Sequence, residues 1–74
     1  MKPLALYSLG ASFSVTARFD AANVAEAGEI VQKHIAGSGY SNLRTIDDGD
    51  GSIRFIADPP KGRKGRNVAS FDIF

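Results

Sequence analysis

The hydrophobic periodicity of the chain changes near residue 20, and this change limits the possible folds more than any other feature. From Ser12 to Phe19 polar and apolar residues alternate strictly, which is typical of a half-buried β-strand. Farther along, apolar and small residues recur with the spacing of one face of an α-helix, at Val24, Ala27, Gly28, Val31 and Ile35. The sequence therefore predicts a strand that leads directly into one amphipathic helix.

The helix is expected to run from about Asp20 to Ala36. Asp20 is the predicted N-cap, because its carboxylate can accept hydrogen bonds from the free N–H groups of the first turn. Gly37 or Gly39 is expected to end the helix in the left-handed conformation. Gly28 on the apolar stripe lowers the stability of the helix by about 1 kcal/mol relative to alanine. Its presence there indicates a close approach of the helix backbone to the sheet.

Four other segments have the character of strands, namely Leu4–Leu9, Tyr40–Ile46, Ser52–Ala57 and Val68–Phe74. Turn-forming residues at 47–51 predict a hairpin between the second and third of these. Residues 10 and 11 fit either a tight turn between two strands or a bulge in one long strand. The predicted fold class is α+β, a two-layer sandwich of one helix on a four- to five-stranded, largely antiparallel sheet, in the order β(β)-α-β-β-β.

The 74 residues are expected to form a single domain, because so short a chain buries only about 60% of its unfolded surface and cannot support two cores. A hydrophobic content of 43% and a net charge of +1 exclude disorder. The absence of cysteine excludes disulfides, a cysteine-based zinc site and a thiol nucleophile. The predicted core comprises Phe13, Val15, Phe19, Val24, Val31, Ile35, Ile53, Phe55, Phe71 and Ile73. Three apolar residues are assigned to the opposite, open face, which a partner or second copy could cover: Ile56, Val68 and Phe74.

Four of the nine basic residues, Lys61, Arg63, Lys64 and Arg66, lie within six positions. The remaining five basic residues stand against eight acidic ones, a balance of −3 outside this segment. Prolines and glycines in residues 59–67 predict a mobile loop. Such a loop could bind phosphates, dock on an acidic protein, or simply be solvated.

The acidic residues Asp47, Asp48 and Asp50 lie in a segment that superficially resembles a calcium loop. A calcium loop needs a bidentate acid at its twelfth position, and Pro59 stands there when the count starts at Asp48. We therefore interpret the segment as a turn, whose aspartates could face a basic protein surface.

No pattern of residues indicates catalysis, a metal site or a cofactor. His34 is the only histidine, and no organised second group accompanies it. Only Tyr7 or Tyr40 could stack on a base without an obvious role in the core, so sequence-specific binding of single strands is poorly supported. We expect a protein that is not an enzyme.

The N-terminus partly resembles a signal peptide, with Lys2 before an apolar stretch at 4–11. The strict alternation at 12–19 is instead a strand pattern, and no run of 18 apolar residues exists. We expect a cytoplasmic protein that does not interact with membranes.

The strand-to-helix stretch at residues 13–22, FSVTARFDAA, is followed by a glycine-rich exit and three short strands. This pattern and the chain's size resemble small phage-encoded anti-CRISPR proteins. The resemblance implies a non-enzymatic inhibitor that covers an effector and blocks its access to guide, target or nuclease.

The predicted function is therefore inhibition or modulation of a protein complex that handles nucleic acid. The predicted partner-binding residues are Lys61, Arg63, Lys64, Arg66, Asp47, Asp48 and Asp50. The alternative is a small nucleic-acid-binding module that uses the loop at 61–66. Weak, non-specific binding of nucleic acid and homodimerisation are both compatible with the sequence.

Overall fold

The structure, a computed structural model, describes residues 1–10 and 14–73. The elements are β1 (Lys2–Tyr7), β2 (Val15–Ala21), α1 (Val24–Ile35), β3 (Ser41–Asp47), β4 (Ser52–Asp58) and β5 (Asn67–Asp72). Five antiparallel strands form one sheet in the order β2-β1-β5-β4-β3, and α1 packs mainly against β5, β2 and β1. The predicted α+β fold class and order of elements are confirmed.

The N-terminal segment forms a hairpin and not one long strand. The backbone N–H of Ser8 donates to the Ser14 carbonyl at 2.6 Å, and Gly10 has a φ of +83° in the turn. Leu4 and Leu6 of β1 are buried in the core, which the sequence analysis did not predict. The predicted core residue Phe13 lies outside the described residues.

The prediction that Asp20 caps the helix is wrong. Asp20 still belongs to β2, where it pairs with Pro3, because the alternating pattern continues the ladder with β1. The cap is Asn23, whose Oδ1 accepts the Glu26 N–H at 2.9 Å, while Glu26 Oε1 accepts the Ala22 N–H at 3.3 Å. This reciprocal capping starts the helix three to four residues later than expected.

Glycines shape both the end and the middle of the helix. Gly37 and Gly39 follow the C-cap Ala36 with φ values of +75° and +88°, in agreement with the predicted left-handed ending. A Cβ added at Gly28 would lie 3.7 Å from Phe55 Cε1, an ordinary van der Waals distance. The helix therefore approaches β4 less tightly than its central glycine suggested.

The predicted core is only partly correct. The predicted residues that are buried are Val31, Ile35, Phe55 and Phe71, whereas Ile53 is half-buried. Those that are exposed are Val15, Phe19, Val24 and Ile73. The space is filled by residues that the alternation did not select: Leu4, Leu6, Ala21, Ala27, Tyr40, Ala57, Val68 and Ala69.

Two irregularities of the ladder explain part of this difference. Leu6 pairs with Ala17 and Tyr7 with Val15, so Thr16 is an extra residue in β2, and Val15 joins the open face. A second irregularity lies between the pairs at Phe55 and Ile56, and there both Val68 and Ala69 of β5 are buried. The assignment of Val68 to the open face is therefore wrong, and Phe74 lies outside the described residues.

Candidate binding surface at the basic end of the sheet

The strand directions separate the charged segments. Because β5 runs antiparallel to β1 and β4, the loop at 59–66, the β1–β2 turn and the C-terminus of α1 share one end of the sheet. We call this the basic end; its cationic side chains are Lys33, Lys61, Arg63, Lys64 and Arg66. The turn between β3 and β4 lies at the other end, about 20 Å away across strands of six or seven residues. We call it the acidic turn; it contains Asp47, Asp48 and Asp50.

The basic loop is fixed to the sheet near its C-terminal side. Tyr40 is only 8% exposed, and its hydroxyl donates to the Gly65 carbonyl at 3.2 Å. The Ala57 N–H donates to the Arg66 carbonyl at 3.0 Å. These bonds hold the backbone beside two of the four cationic residues of the loop, although we expected the loop to be mobile.

The rest of the loop rests on neighbouring turns. A Cβ added at Gly39 would come within 2.9 Å of Pro60 Cβ, so the α1–β3 connection and the loop are in close contact. The Arg63 N–H donates to the Pro60 carbonyl at 3.0 Å, and Arg63 Nη1 donates to the Leu9 carbonyl at 3.5 Å. The side chains of Lys61, Arg63, Lys64 and Arg66 all remain exposed. The structure thus brings the four predicted cations together on a supported loop.

His34 joins the helix to the β1–β2 hairpin at this end. Its half-buried ring lies with Nε2 2.7 Å from the Tyr7 carbonyl oxygen. A carbonyl oxygen only accepts, so Nε2 carries the hydrogen and donates a hydrogen bond to the Tyr7 carbonyl oxygen. The only histidine therefore has a structural contact that the sequence did not indicate.

Asp58, the last residue of β4, pairs with the positive charge of Arg44. Its Oδ1 accepts from Arg44 Nη1 at 2.9 Å, and Oδ2 accepts from Asn42 Nδ2 at 3.3 Å. These hydrogen bonds, with Arg44 first, hold the pKa of the Asp58 carboxyl below its ordinary value. The negative charge of Asp58 is therefore paired with Arg44.

The aspartates of the acidic turn mainly build the turn itself. Asp47 Oδ1 accepts the Gly49 N–H at 2.8 Å. Asp50 Oδ1 accepts from the Ser52 hydroxyl and N–H at 2.7 and 3.1 Å, and this lowers the pKa of Asp50. These bonds agree with the interpretation of the segment as a turn.

The third aspartate of the turn is paired with an arginine. The Asp48 carboxylate accepts from Arg54 Nε and Nη2, with a shortest distance of 2.9 Å, and this contact raises the pKa of Arg54. All three aspartates of the turn remain exposed, but their oxygens are largely engaged within the chain. The structure places them far from the four cations and does not form one site with them.

Neither tyrosine lies exposed at the basic end. Tyr40 belongs to the core, so the expectation that it could stack a base is wrong. Tyr7 is half-buried on the open face of the sheet, where it lines a cavity of about 240 Å³ together with Val15, Arg18 and Asp72. Tyr40 was missed as a support of the loop because nothing in its local sequence indicates a contact 25 residues away.

An apolar groove of about 370 Å³ lies on the other face of the sheet, between α1 and β2. Its lining residues are Leu6, Phe19, Ile30, Lys33 and His34. No three histidine or acidic side chains within residues 1–10 and 14–73 lie close enough to hold a metal ion. In the same part of the chain, no helix has the length and hydrophobicity needed to cross a membrane.

Comparison of the chain with known protein families, curated proteins and solved structures finds no match.

Proposed function

We propose that this protein is a non-catalytic binding protein that docks its basic end on an acidic surface of a complex that handles nucleic acid, and so inhibits or modulates that complex. The observation that carries the proposal is the support of four exposed cations by Tyr40, Gly39 and the β1–β2 turn. Ordering a loop before it binds lowers the entropy cost of association. The same cations accelerate encounter with an acidic surface through long-range attraction.

An acidic protein surface suits this end better than a nucleic acid does. Strong, sequence-tolerant binding of single strands combines cations with aromatic side chains that stack on bases. Among the described residues, the basic end offers no exposed aromatic ring, since Tyr40 is buried and Tyr7 is half-buried. The rest of the chain has a net charge of −3, which repels any part of a long polyanion that extends past the loop.

The test uses two variants that change the charge equally at opposite ends of the sheet. Lys64→Glu alters the basic end, and Lys2→Glu alters the first residue of β1 at the other end. Each tagged protein is incubated with nuclease-treated lysate of its native host, and the captured proteins are identified by mass spectrometry. We expect wild type and Lys2→Glu to retain subunits of a nucleic-acid-handling complex and Lys64→Glu to lose them.

The captured complex is then purified, and its binding or cleavage of nucleic acid is measured with each variant added. Inhibition by wild type and Lys2→Glu but not by Lys64→Glu supports the proposal. Equal behaviour of the two variants contradicts it. A mobility shift that shows tight binding of a free oligonucleotide at about 150 mM salt would instead favour the nucleic-acid-binding module.

A further inference from the structure

The outer edge of β2 is an open edge of the sheet, on a different strand from those that flank the basic loop. β2 is the first strand of the sheet, and within the described residues no strand pairs with its outer side. The Ser8 N–H donates to the Ser14 carbonyl, so even-numbered residues of β1 direct their backbone groups toward β2. Pro3, which has no N–H, falls in the other set and points away from β2. This fixes the phase of the ladder.

The phase determines which backbone groups of β2 are available to a new strand. Phe19 pairs with Leu4, so its N–H and carbonyl point inward to β1. Arg18 and Asp20 therefore direct their N–H and carbonyl groups outward, to the open edge. The irregularity at Thr16 lies before this stretch, and pairing is regular from residue 17 to 21.

The side chains on this edge select one way for two copies to pair. In an antiparallel pair, residues directly opposite each other lie on the same face of the sheet. When the two strands are identical and related by a two-fold axis, one residue must therefore lie opposite its own copy, and the axis passes between these two. An axis at Arg18 places two arginines opposite each other, and an axis at Asp20 places two aspartates opposite each other. An axis at Phe19 places Arg18 of each copy opposite Asp20 of the other, and these outward-pointing residues form the hydrogen-bonded pairs.

Neither Arg18 nor Asp20 forms a salt bridge with another described residue, since the salt bridges found there are Arg44–Asp58 and Arg54–Asp48. The same axis also brings apolar surface together on the helix face. Phe19 is 48% exposed and forms one wall of the groove that Leu6 and Ile30 line. Two Phe19 rings opposite each other in a non-hydrogen-bonded pair come into direct contact beside this groove.

We propose that β2 pairs antiparallel with β2 of a second copy, about a two-fold axis at Phe19, to form a continuous ten-stranded sheet. The other edge strand, β3, is less suited to this pairing. Its ladder is irregular between Ser41 and Arg44, Asn42 has a φ of +57°, and Arg44 is bonded to Asp58. This inference is independent of the proposed function.

Sedimentation velocity of the full chain from about 10 μM to about 1 mM tests the proposal. We expect wild type to shift from monomer to dimer and Phe19→Glu to remain monomeric, because two glutamates would meet at the axis. Ile46→Glu is the matched control, since Ile46 is 39% exposed on the opposite edge strand. Circular dichroism verifies that both variants fold.

A charge-swap experiment tests the register. Arg18→Asp and Asp20→Arg each place like charges in both cross-strand pairs, so each alone should weaken the dimer about tenfold or more. Mixing the two variants places aspartates of one copy opposite arginines of the other, so a heterodimer should form with nearly wild-type affinity. In the wild type, the amide protons of residues 18 and 20 should exchange more slowly as the concentration rises.

A wild type that stays monomeric at about 1 mM overturns the proposal. A dimer that Ile46→Glu dissociates and Phe19→Glu does not would place the contact on β3. Failure of the mixed variants to associate, when wild type dimerises, would contradict the axis at Phe19.

Discussion

Tyr40→Phe tests whether the anchoring of the basic loop contributes to stability and to binding. The change keeps the buried ring and removes only the hydroxyl that donates to the Gly65 carbonyl at 3.2 Å. A hydrogen bond of this kind contributes about 0.5–1.5 kcal/mol to the free energy of unfolding. For a domain of this size, a loss of 1 kcal/mol lowers Tm by about 4–8 °C. Gly65 is only half-buried, so water can partly replace the hydroxyl, and we expect a decrease of about 5 °C.

The consequence for binding follows from the same free energy. If the anchored loop is the form that binds, loosening it by about 1 kcal/mol should weaken association by up to about fivefold. The charge is unchanged, so the salt dependence of binding to a labelled oligonucleotide at low salt should keep its slope. Replacing Lys61, Arg63, Lys64 and Arg66 by alanine should instead change the salt dependence of binding, because it removes the charges and leaves the Tyr40 hydrogen bond in place. That variant should flatten the slope of log K against log salt by up to about 0.7–0.9 per lost phosphate contact.

Thermal unfolding by circular dichroism and fluorescence anisotropy of the labelled oligonucleotide measure both effects. A wild-type Tm for Tyr40→Phe would show that the hydroxyl contributes no net stability. If Tyr40→Phe shows the expected decrease in Tm but binds with unchanged affinity, the loop binds equally well without its anchor. That result would refute the argument from preorganisation.

Phe55→Ala should lower the free energy of unfolding by about 3–5 kcal/mol, because Phe55 is 2% exposed and the change leaves a cavity; a denaturant titration with a wild-type midpoint would contradict this. Asn23→Ala should cost about 1 kcal/mol through loss of the helix cap, whereas Asp20→Ala in dilute protein should cost much less, and thermal unfolding of the pair shows which residue is the cap. The lowered pKa of Asp58 means that its contact with Arg44 stabilises the protein above the ordinary pKa of 3.8. This stability should be lost as the pH falls through the lower, folded-state pKa, and Asp58→Asn should show a smaller loss in unfolding measured from pH 5 to pH 2.

The sequence predicted the elements of the fold well and their partners poorly. Alternation and helical spacing are local properties, so the four to five predicted strands and the helix were placed to within about four residues of the observed bounds. Which strand becomes an edge depends on contacts distant in sequence. The apolar residues of the segment with the strictest alternation, 12–19, were expected in the core because of that alternation. β2 is nevertheless an edge strand, and Phe19 is half exposed.

The register of the ladder was equally inaccessible from the pattern. One extra residue moves every later side chain to the other face of a strand. The irregularity at Thr16 accounts for the position of Val15 on the open face, and the irregularity in β5 accounts for the burial of Val68. Neither is marked by a glycine or a proline at the position itself.

The charged residues were easier to locate than to interpret. The four cations were identified from their spacing, and the structure gathers them on one loop. The aspartates of the acidic turn were grouped with them as partner-binding residues, although Asp48 is paired with Arg54 and Asp50 with Ser52. Composition counts charges but does not show which of them are already engaged.

The two proposals place their surfaces on different parts of the sheet, and this makes their failures separable. Lys64 lies on the loop between β4 and β5, whereas Phe19 lies on β2, which β1 and β5 separate from β4. A two-fold axis at Phe19 reverses the direction of the strands, so the basic ends of a dimer face opposite ways and cannot both dock on one flat surface. A dimer would therefore link two acidic surfaces, and Phe19→Glu should abolish this linking while each monomer still binds one surface. Lys64→Glu should abolish docking and leave the sedimentation of the dimer unchanged.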